Sequence, residues 1–364
     1  MTGKKRPGPR VSDPNAPATH QGLPIDKNGM TAKDRWNYAQ RCRRAERMGL
    51  PLPDPPYGIR FSTESDASAF GLSVTPLPDE DIPAHEIIAR RKADFRRKRN
   101  YEDERRLIRA AITIPGPIGI IHLGDPHVDD QGTDWETLES HIRLIQRTDG
   151  LFAANVGDMT NNWVGRLAKL HSLQSVTARQ AWKLAEWLIG ELAGKWVYMI
   201  GGNHDAWSGE GDPLNWIARQ AGAMYEASEA RVQITFPAGA PVVVNARHDF
   251  KGSSQWNPAH GPMKAAQLGI RDDIMICGHY HKSGYSPLKD PDSGRVCHCI
   301  QVSSYKVYDR YAREKGFRDQ SLSPCVMTVV DPTAQLAVNR VQVFWDPFRG
   351  TEYLKFLRDK WRTK

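Results

Sequence analysis

Long apolar runs are missing. No stretch of the 364 residues approaches the roughly 18–20 consecutive apolar side chains of a membrane-spanning helix. The basic opening Met1–Arg10 also lacks the apolar segment of a secretory signal. The expected setting is therefore a cytoplasm, with no membrane partner. Cysteine is scarce as well. Cys42, Cys277, Cys297, Cys299 and Cys325 are too few and too unevenly spread for a disulfide framework. Cys297 and Cys299 flank His298 in an apolar run, but alternate residues of a strand pack to one side, so the pair reads as core before it reads as a zinc site. No internal repeat is visible.

What is present in excess is positive charge, and most of the net +8 lies before residue 111. Residues 1–30, rich in Pro, Gly and charge and without a periodic apolar face, are expected to be a disordered tail. A short basic helix is expected over Thr31–Met48, stopped by Gly49, Pro51 and Pro53, and residues 51–58 form an extended Pro-rich linker. A second helix is expected over Pro83–Ala111, with the dense block Arg90, Arg91, Lys92, Arg96, Arg97, Lys98 and Arg99. Either it is a solvated helix that packs Ile87, Ile88, Phe95, Leu107 and Ile108 on the main domain, or it is a surface for a polyanion, on which clustered Lys and Arg release counterions. Residues 31–110 thus make a basic helical extension.

From residue 111 to 346 the pattern becomes α/β. The short apolar runs IGIIHLG, LFAANVG, WVYMIGG, PVVVNAR and DIMICGH read as buried strands, with helices at Trp135–Arg147 and Gln180–Leu192 between them. Residues 295–308 and 324–345 read as further strands. Within residues 347–364, a basic helix is expected over Glu352–Trp361.

Five polar clusters sit just beyond those strands, where an open α/β sheet gathers its functional groups. They are Asp125 with His127; Asp158 after Gly157; Asn203, His204 and Asp205 after a glycine pair; His248; and His279 with His281 after Gly278. Residues two apart in an extended segment point the same way, so each such pair can address one ion. A lone buried histidine is more often a core residue, and an Asp after Gly more often a turn. The five together, in this order, leave little room for chance. His122, out of phase with Asp125, reads as structural.

The ordered pattern DxH, GD, GNHD, H, GHxH resembles that of the calcineurin-like metallophosphoesterase superfamily. The resemblance implies a four-layer α/β/β/α sandwich holding two divalent cations about 3.5–4 Å apart. Asp125, His127 and His281 would hold one cation, Asn203, His248 and His279 the other, and Asp158 would bridge them. A shared water with lowered pKa would then supply the attacking hydroxide. One departure stands out: the family often has a second histidine or a glycine after its fourth-motif histidine, whereas His248 is followed by Asp249 and Phe250, which makes it the least secure of the seven, with His260 a distant substitute. The resemblance also implies that His204 helps the leaving group, with Asp205 orienting or charging its ring. The mixed O and N donor set, without thiolate, favours Mn²⁺, with Fe, Ni and Zn as alternatives.

Asn162, Trp163, Arg166 and Trp207 lie in loops between these ligands and are candidates for substrate binding. Arg166 can grip a phosphate in a bidentate manner, and Trp163, Trp207 and the more distant Trp256 can stack on bases or simply wall the pocket. The GNHD turn is similar to that of the repair-exonuclease branch, and the chain as a whole is similar in style to phage-encoded members, which would place it in an infected bacterial host. The expected activity is therefore that of a phosphodiesterase or nuclease acting on nucleic acid. The alternatives are a phosphomonoesterase or small-nucleotide phosphodiesterase, or a nucleic-acid-binding or assembly protein whose phosphoesterase core is accessory.

Overall fold

The structure, a computed structural model, describes residues 19–20, 23–24, 32–53, 82–207, 212–308, 314, 316 and 319–363. The chain divides into two compact units, Met1–Glu86 and Ile87–Lys364. In the first, β1 (Thr19–His20) pairs antiparallel with β2 (Leu23–Pro24), and α1 spans Ala32–Arg47. Gly49 at φ 63° turns the chain out of α1, and the Leu50 N–H closes on the Ala45 carbonyl at 2.9 Å, the left-handed exit that glycine makes without strain. The tail expected over residues 1–30 and the extended run expected over 51–58 otherwise lie outside the described residues.

α2 runs Ala84–Arg105 and stops short of the expected Ala111. Residues Ile108–Ala111 instead form β3, because their burial alternates with period two, as an edge strand requires. No residue of α2 is buried, and Phe95 is 66% exposed. The packing expected for Ile87, Ile88 and Phe95 is thus not made. α2 is tied down at its carboxyl end, where Arg105 pairs with Glu226 and donates to the Tyr225 carbonyl.

The strands form two six-stranded sheets. One contains β4 (Ile118–Leu123), β5 (Leu151–Asn155), β6 (Trp196–Ile200), β7 (Tyr225–Glu226), β13 (Cys325–Val330) and β14 (Val341–Phe344), in the order β14-β13-β4-β5-β6-β7. β4 to β7 are parallel, and β13 runs antiparallel to both its neighbours. The other sheet holds β3 with β8 (Glu229–Thr235), β9 (Val242–Arg247), β10 (Ile274–Cys277), β11 (Gly284–Lys289) and β12 (Val296–Gln301), in the order β11-β12-β10-β9-β8-β3.

Period-two alternation sorts each strand's side chains between two cores. Ile118 and Ile120 of β4 join Val232, Val244 and Ile276 of the other sheet in a core between the sheets. Ile121 and Leu123 face outward against α3 (Trp135–Arg147), α4 (Ala178–Glu191), α5 (Pro213–Gln220) and α8 (Pro347–Arg362). On the far side, Met275, Cys297 and Cys299 pack against α6 (His260–Leu268), so the CxC pair is core. A four-residue α7 (Ala337–Arg340) precedes β14. The architecture is a four-layer α/β/β/α sandwich.

His122 faces the core between the sheets, fully buried. Its Nδ1 lies 2.6 Å from the Tyr198 hydroxyl and its Nε2 2.9 Å from Thr328 Oγ1. Both ring nitrogens are satisfied, so its role is structural, as its phase on the strand suggested.

Candidate metal centre

Both sheets contribute to one cluster. Asp125 and His127 follow β4, Asp158 follows β5 and Asn203 follows β6. From the second sheet, His248 follows β9, and His279 and His281 follow β10. The loops are zipped together by backbone hydrogen bonds: His127 N–H donates to the Asp158 carbonyl at 3.1 Å, and Gly278 N–H to the His248 carbonyl at 3.1 Å. The glycines make close approach feasible. A methyl group on Gly202 would collide with Asp158 Oδ1, and one on Gly278 with Asp125 Oδ1.

The backbone is strained where these ligands stand. Among the described residues, five that are not glycine have positive φ: His127 (40°), Asp158 (46°), Asn162 (37°), His279 (73°) and His281 (50°). Left-handed backbone at such residues costs about 1–3 kcal/mol each and persists only where the surroundings enforce it. Four of the five are candidate ligands.

Three overlapping groups offer donor atoms that all lie within 4.8 Å of one another: Asp125, His127 and His281; His127, Asp158 and His204; and Asp158, His248 and His279. His248 Nδ1 donates to the Val156 carbonyl at 2.9 Å, which holds the ring with Nε2 turned inward, the nitrogen that would bind a cation once its proton is displaced. Around that Nε2 stand Asn203 Oδ1 at 3.0 Å, His279 Nδ1 at 3.1 Å and Asp158 Oδ2 at 3.2 Å. Asp158 Oδ2 is also 3.9 Å from His127 Nε2, so it stands between the two outer groups. His260, the distant substitute, begins α6 and belongs to none of these groups.

A divalent cation fits this donor set. Asp125 Oδ1 and both ring nitrogens of His127 are buried, without a hydrogen-bond partner among the described residues. Leaving such atoms unpaired costs about 1–3 kcal/mol each, and a cation would remove that cost for the carboxylate oxygen and for one of the two ring nitrogens. Burial also pushes His127 well below its usual value, against the pull of Asp158, which leaves the ring neutral as a ligand must be. In His248 burial likewise opposes charge, but Asp158 and then Asp125 outweigh it and raise the ring. In Asp158 burial is outweighed chiefly by His248, and the carboxyl is lowered.

His204 lies beside the cluster. Its backbone N–H donates to Asp158 Oδ1 at 3.0 Å, its ring Nδ1 donates to the Asn161 carbonyl, and Nε2 faces Asp158 Oδ2 at 3.9 Å. Asn162 Nδ2 donates to the His204 carbonyl at 2.7 Å, and the Trp163 ring meets the His204 ring edge-on at 5.0 Å. Asp205 departs from expectation. Its carboxylate turns away from the His204 ring to accept from Gly202 N–H at 2.8 Å and Met159 N–H at 3.1 Å, because the 3-10 turn Asp205–Trp207 directs it into the protein. Asp205 thus pins two ligand loops together. Burial and the nearby Asp158 push its carboxyl upward.

The backbone of Arg166 sits in the 3-10 helix Gly165–Leu173 and Trp207 ends the turn after His204; their side chains lie outside the described residues. Trp256 is 92% exposed and joins no packed wall. Sequence reasoning missed a supporting layer behind the cluster. Asp129 accepts from Asn161 N–H at 2.7 Å, and Asp130 accepts from Asn161 Nδ2 at 2.9 Å and pairs with the buried Lys306 at 3.0 Å. The Lys306 ammonium stands 5.4 Å from the Trp163 ring centroid. The Asp129–Asp130 doublet, two residues beyond DxH, was a usable signal; nothing around Lys306 marks it.

Among the described residues no helix is long and apolar enough to cross a membrane. No protein-family model matches the chain, and no curated protein matches it. Among solved structures it is similar to Vps29 of Chaetomium thermophilum, at 11% identity and a TM-score of 0.31, over 62% of this chain and 95% of that one. It is also similar to the NAD nucleotidase of Haemophilus influenzae, at 10% identity and a TM-score of 0.34, over 64% of this chain and 50% of that one. The chain therefore spans about half the length of the nucleotidase. What the protein does must be read from the site itself.

Proposed function

We propose that the protein is a divalent-cation-dependent phosphoester hydrolase that cleaves phosphodiesters of nucleic acid. The observation that carries this reading is the set of buried, unpartnered donor atoms of Asp125 and His127 within a cluster of carboxylate, amide and imidazole groups. Asp125, His127 and His281 would hold one cation and Asn203, His248 and His279 a second, with Asp158 shared. An O and N donor set of this kind suits Mn²⁺, Fe, Ni or Zn, with Mn²⁺ favoured by the absence of thiolate. Bound there, such cations polarise a phosphoryl group and bring the pKa of water toward neutrality.

The chain's own residues supply the rest. With Nδ1–H held by the Asn161 carbonyl, His204 turns Nε2 toward Asp158 of the cluster, where a proton would be placed for transfer. From there it can donate to the departing oxygen. Trp163 and Asn162 hold that ring and its backbone in place, and Asp205 holds the turn that presents it.

Nucleic acid is favoured over a small ester by α2. Arg91 and Arg97 share Asp94, and Lys98 pairs with Glu102, in exposed pairs within the helix. Such pairs are weak enough for a polyanion to displace. The test is turnover with Mn²⁺ on DNA, RNA, cyclic nucleotides and aryl phosphodiesters. Turnover of DNA or RNA, weakened by charge reversal at Arg90, Lys92 and Arg96, supports the proposal. Turnover confined to mononucleotides or monoesters returns a small-nucleotide phosphatase. No turnover with any cation ends the reading.

A further inference from the structure

A cleft of about 470 Å³ lies between α4 and α5, walled by Trp182 and Trp216 with Arg179 and Lys183 beside them. Trp216 is 59% exposed, although Leu214 and Ala218 already fill the core-facing side of α5. Trp182 is half-buried, its inner edge on the core. Against Arg179 and Lys183 the lining offers one acid, Glu186, so the cleft is cationic as well as aromatic.

Its position matters as much as its chemistry. Each of the two helices follows a ligand-bearing loop, so their first turns stand at the edge of the sheet that carries the cluster. Gln174, three residues before the cap of α4, donates to Asp129 at 2.6 Å. Burial and then Asp212, the cap of α5, push the Tyr225 hydroxyl above its usual value, and that hydroxyl lies against Gly201 of the GNHD turn. Arg179, Pro213 and Trp216 belong to those first turns, the ends of α4 and α5 that follow the ligand-bearing loops.

We infer that this cleft is a subsite for an unpaired nucleotide of the strand being cleaved, its base held by Trp182 and Trp216 and its flanking phosphates by Arg179 and Lys183. The inference rests on the nucleic-acid reading above and narrows it: a base inside a duplex cannot enter such a slot, so the substrate is single-stranded or has a single-stranded end. Stacking on aromatic side chains is tolerant of sequence, and Arg and Lys add salt-sensitive phosphate contacts.

The test is binding of fluorescein-labelled dT20 to the full-length protein in EDTA, read by anisotropy, which needs no catalysis. Trp216→Ala should weaken binding roughly 5- to 150-fold, whereas Trp187→Ala, on α4 but outside the cleft, should not. Arg179→Ala with Lys183→Ala should lower the slope of log affinity against log salt by about 1.4. A blunt 20-base-pair duplex should be insensitive to Trp216→Ala. Equal dT20 affinity of Trp216→Ala and wild type overturns the inference, as does an equal loss on duplex. So does a wild-type dimer that Trp216→Ala converts to monomer, since a second copy then fills the cleft. Wild-type hydrolysis of bis(4-nitrophenyl) phosphate with Mn²⁺, measured alongside, separates the two failures: present with an insensitive Trp216→Ala, only the subsite falls; absent with every cation, the hydrolase reading falls while the binding data still judge the cleft.

Discussion

The backbone N–H of His279 donates to Asp125 Oδ2 at 2.7 Å, across 154 positions of sequence. The first and last motifs thus position each other before any cation is considered, and the other oxygen of Asp125 stays unpartnered. Asp125→Asn keeps an acceptor for that N–H but loses the charge. The fold should survive in circular dichroism, while metal affinity falls by more than the roughly 10- to 100-fold that loss of a residue behind a ligand costs. Metal analysis after dialysis checks this.

His204 should separate chemistry from metal content. His204→Ala is expected to lower turnover by about 10²–10⁴-fold with metal per chain as in wild type. Parallel loss of both would instead make His204 a ligand.

Asp205 should report on stability. Its carboxylate satisfies the N–H groups of Gly202 and Met159 in a buried setting, so Asp205→Ala leaves two donors unpaired, at about 1–3 kcal/mol each. Asp205→Asn keeps a carbonyl acceptor and should lose less. Urea unfolding of the two variants ranks them.

Removing cations should loosen the fold. Binding to the folded state alone stabilises by about 2.7 kcal/mol at a hundredfold excess over Kd. Mn²⁺ should therefore raise Tm and EDTA reverse it, and Asp158→Asn should abolish most of the shift.

Acid should destabilise the protein through its buried histidines. Burial pushes His122 down to about 3, and His141 and His298 down to about 4, from the usual 6.5. The unfolded chain takes up these protons near pH 6.5 and the folded chain does not. Stability is therefore full above that pH and falls as pH drops toward 4, at about 1.4 kcal/mol per pH unit for each histidine. His122→Gln should remove one histidine's share of the slope in urea titrations between pH 6.5 and 4.5.

The candidate ligands and the strands before them were legible because each strand is a short, buried apolar run ending in a polar cluster. β8 and β11 were not. β8 alternates buried and half-exposed residues over EARVQIT, and β11 contains Pro287, which only an edge position tolerates. β3 was taken into α2 because a four-residue strand carries too little periodicity to interrupt a helical pattern. The orientation of Asp205 was hidden because one of its two backbone donors, Met159 N–H, comes from β5's loop, 46 residues away. His248, which had looked the weakest member, stands amid Asn203, His279 and Asp158, a placement set by the neighbouring sheet and invisible in its flanking residues.

Four of the seven candidate ligands ride on one sheet and three on the other, so the cations would act as rivets through the sandwich. Sliding one sheet over its neighbour by a fraction of an ångström would pull the pair of half-sites out of register. Tolerance for that slip is set deep inside, where Ile118, Ile120, Tyr198, Val232 and Val244 interlock. Repacking these distant side chains should therefore detune cation affinity without touching a single ligand.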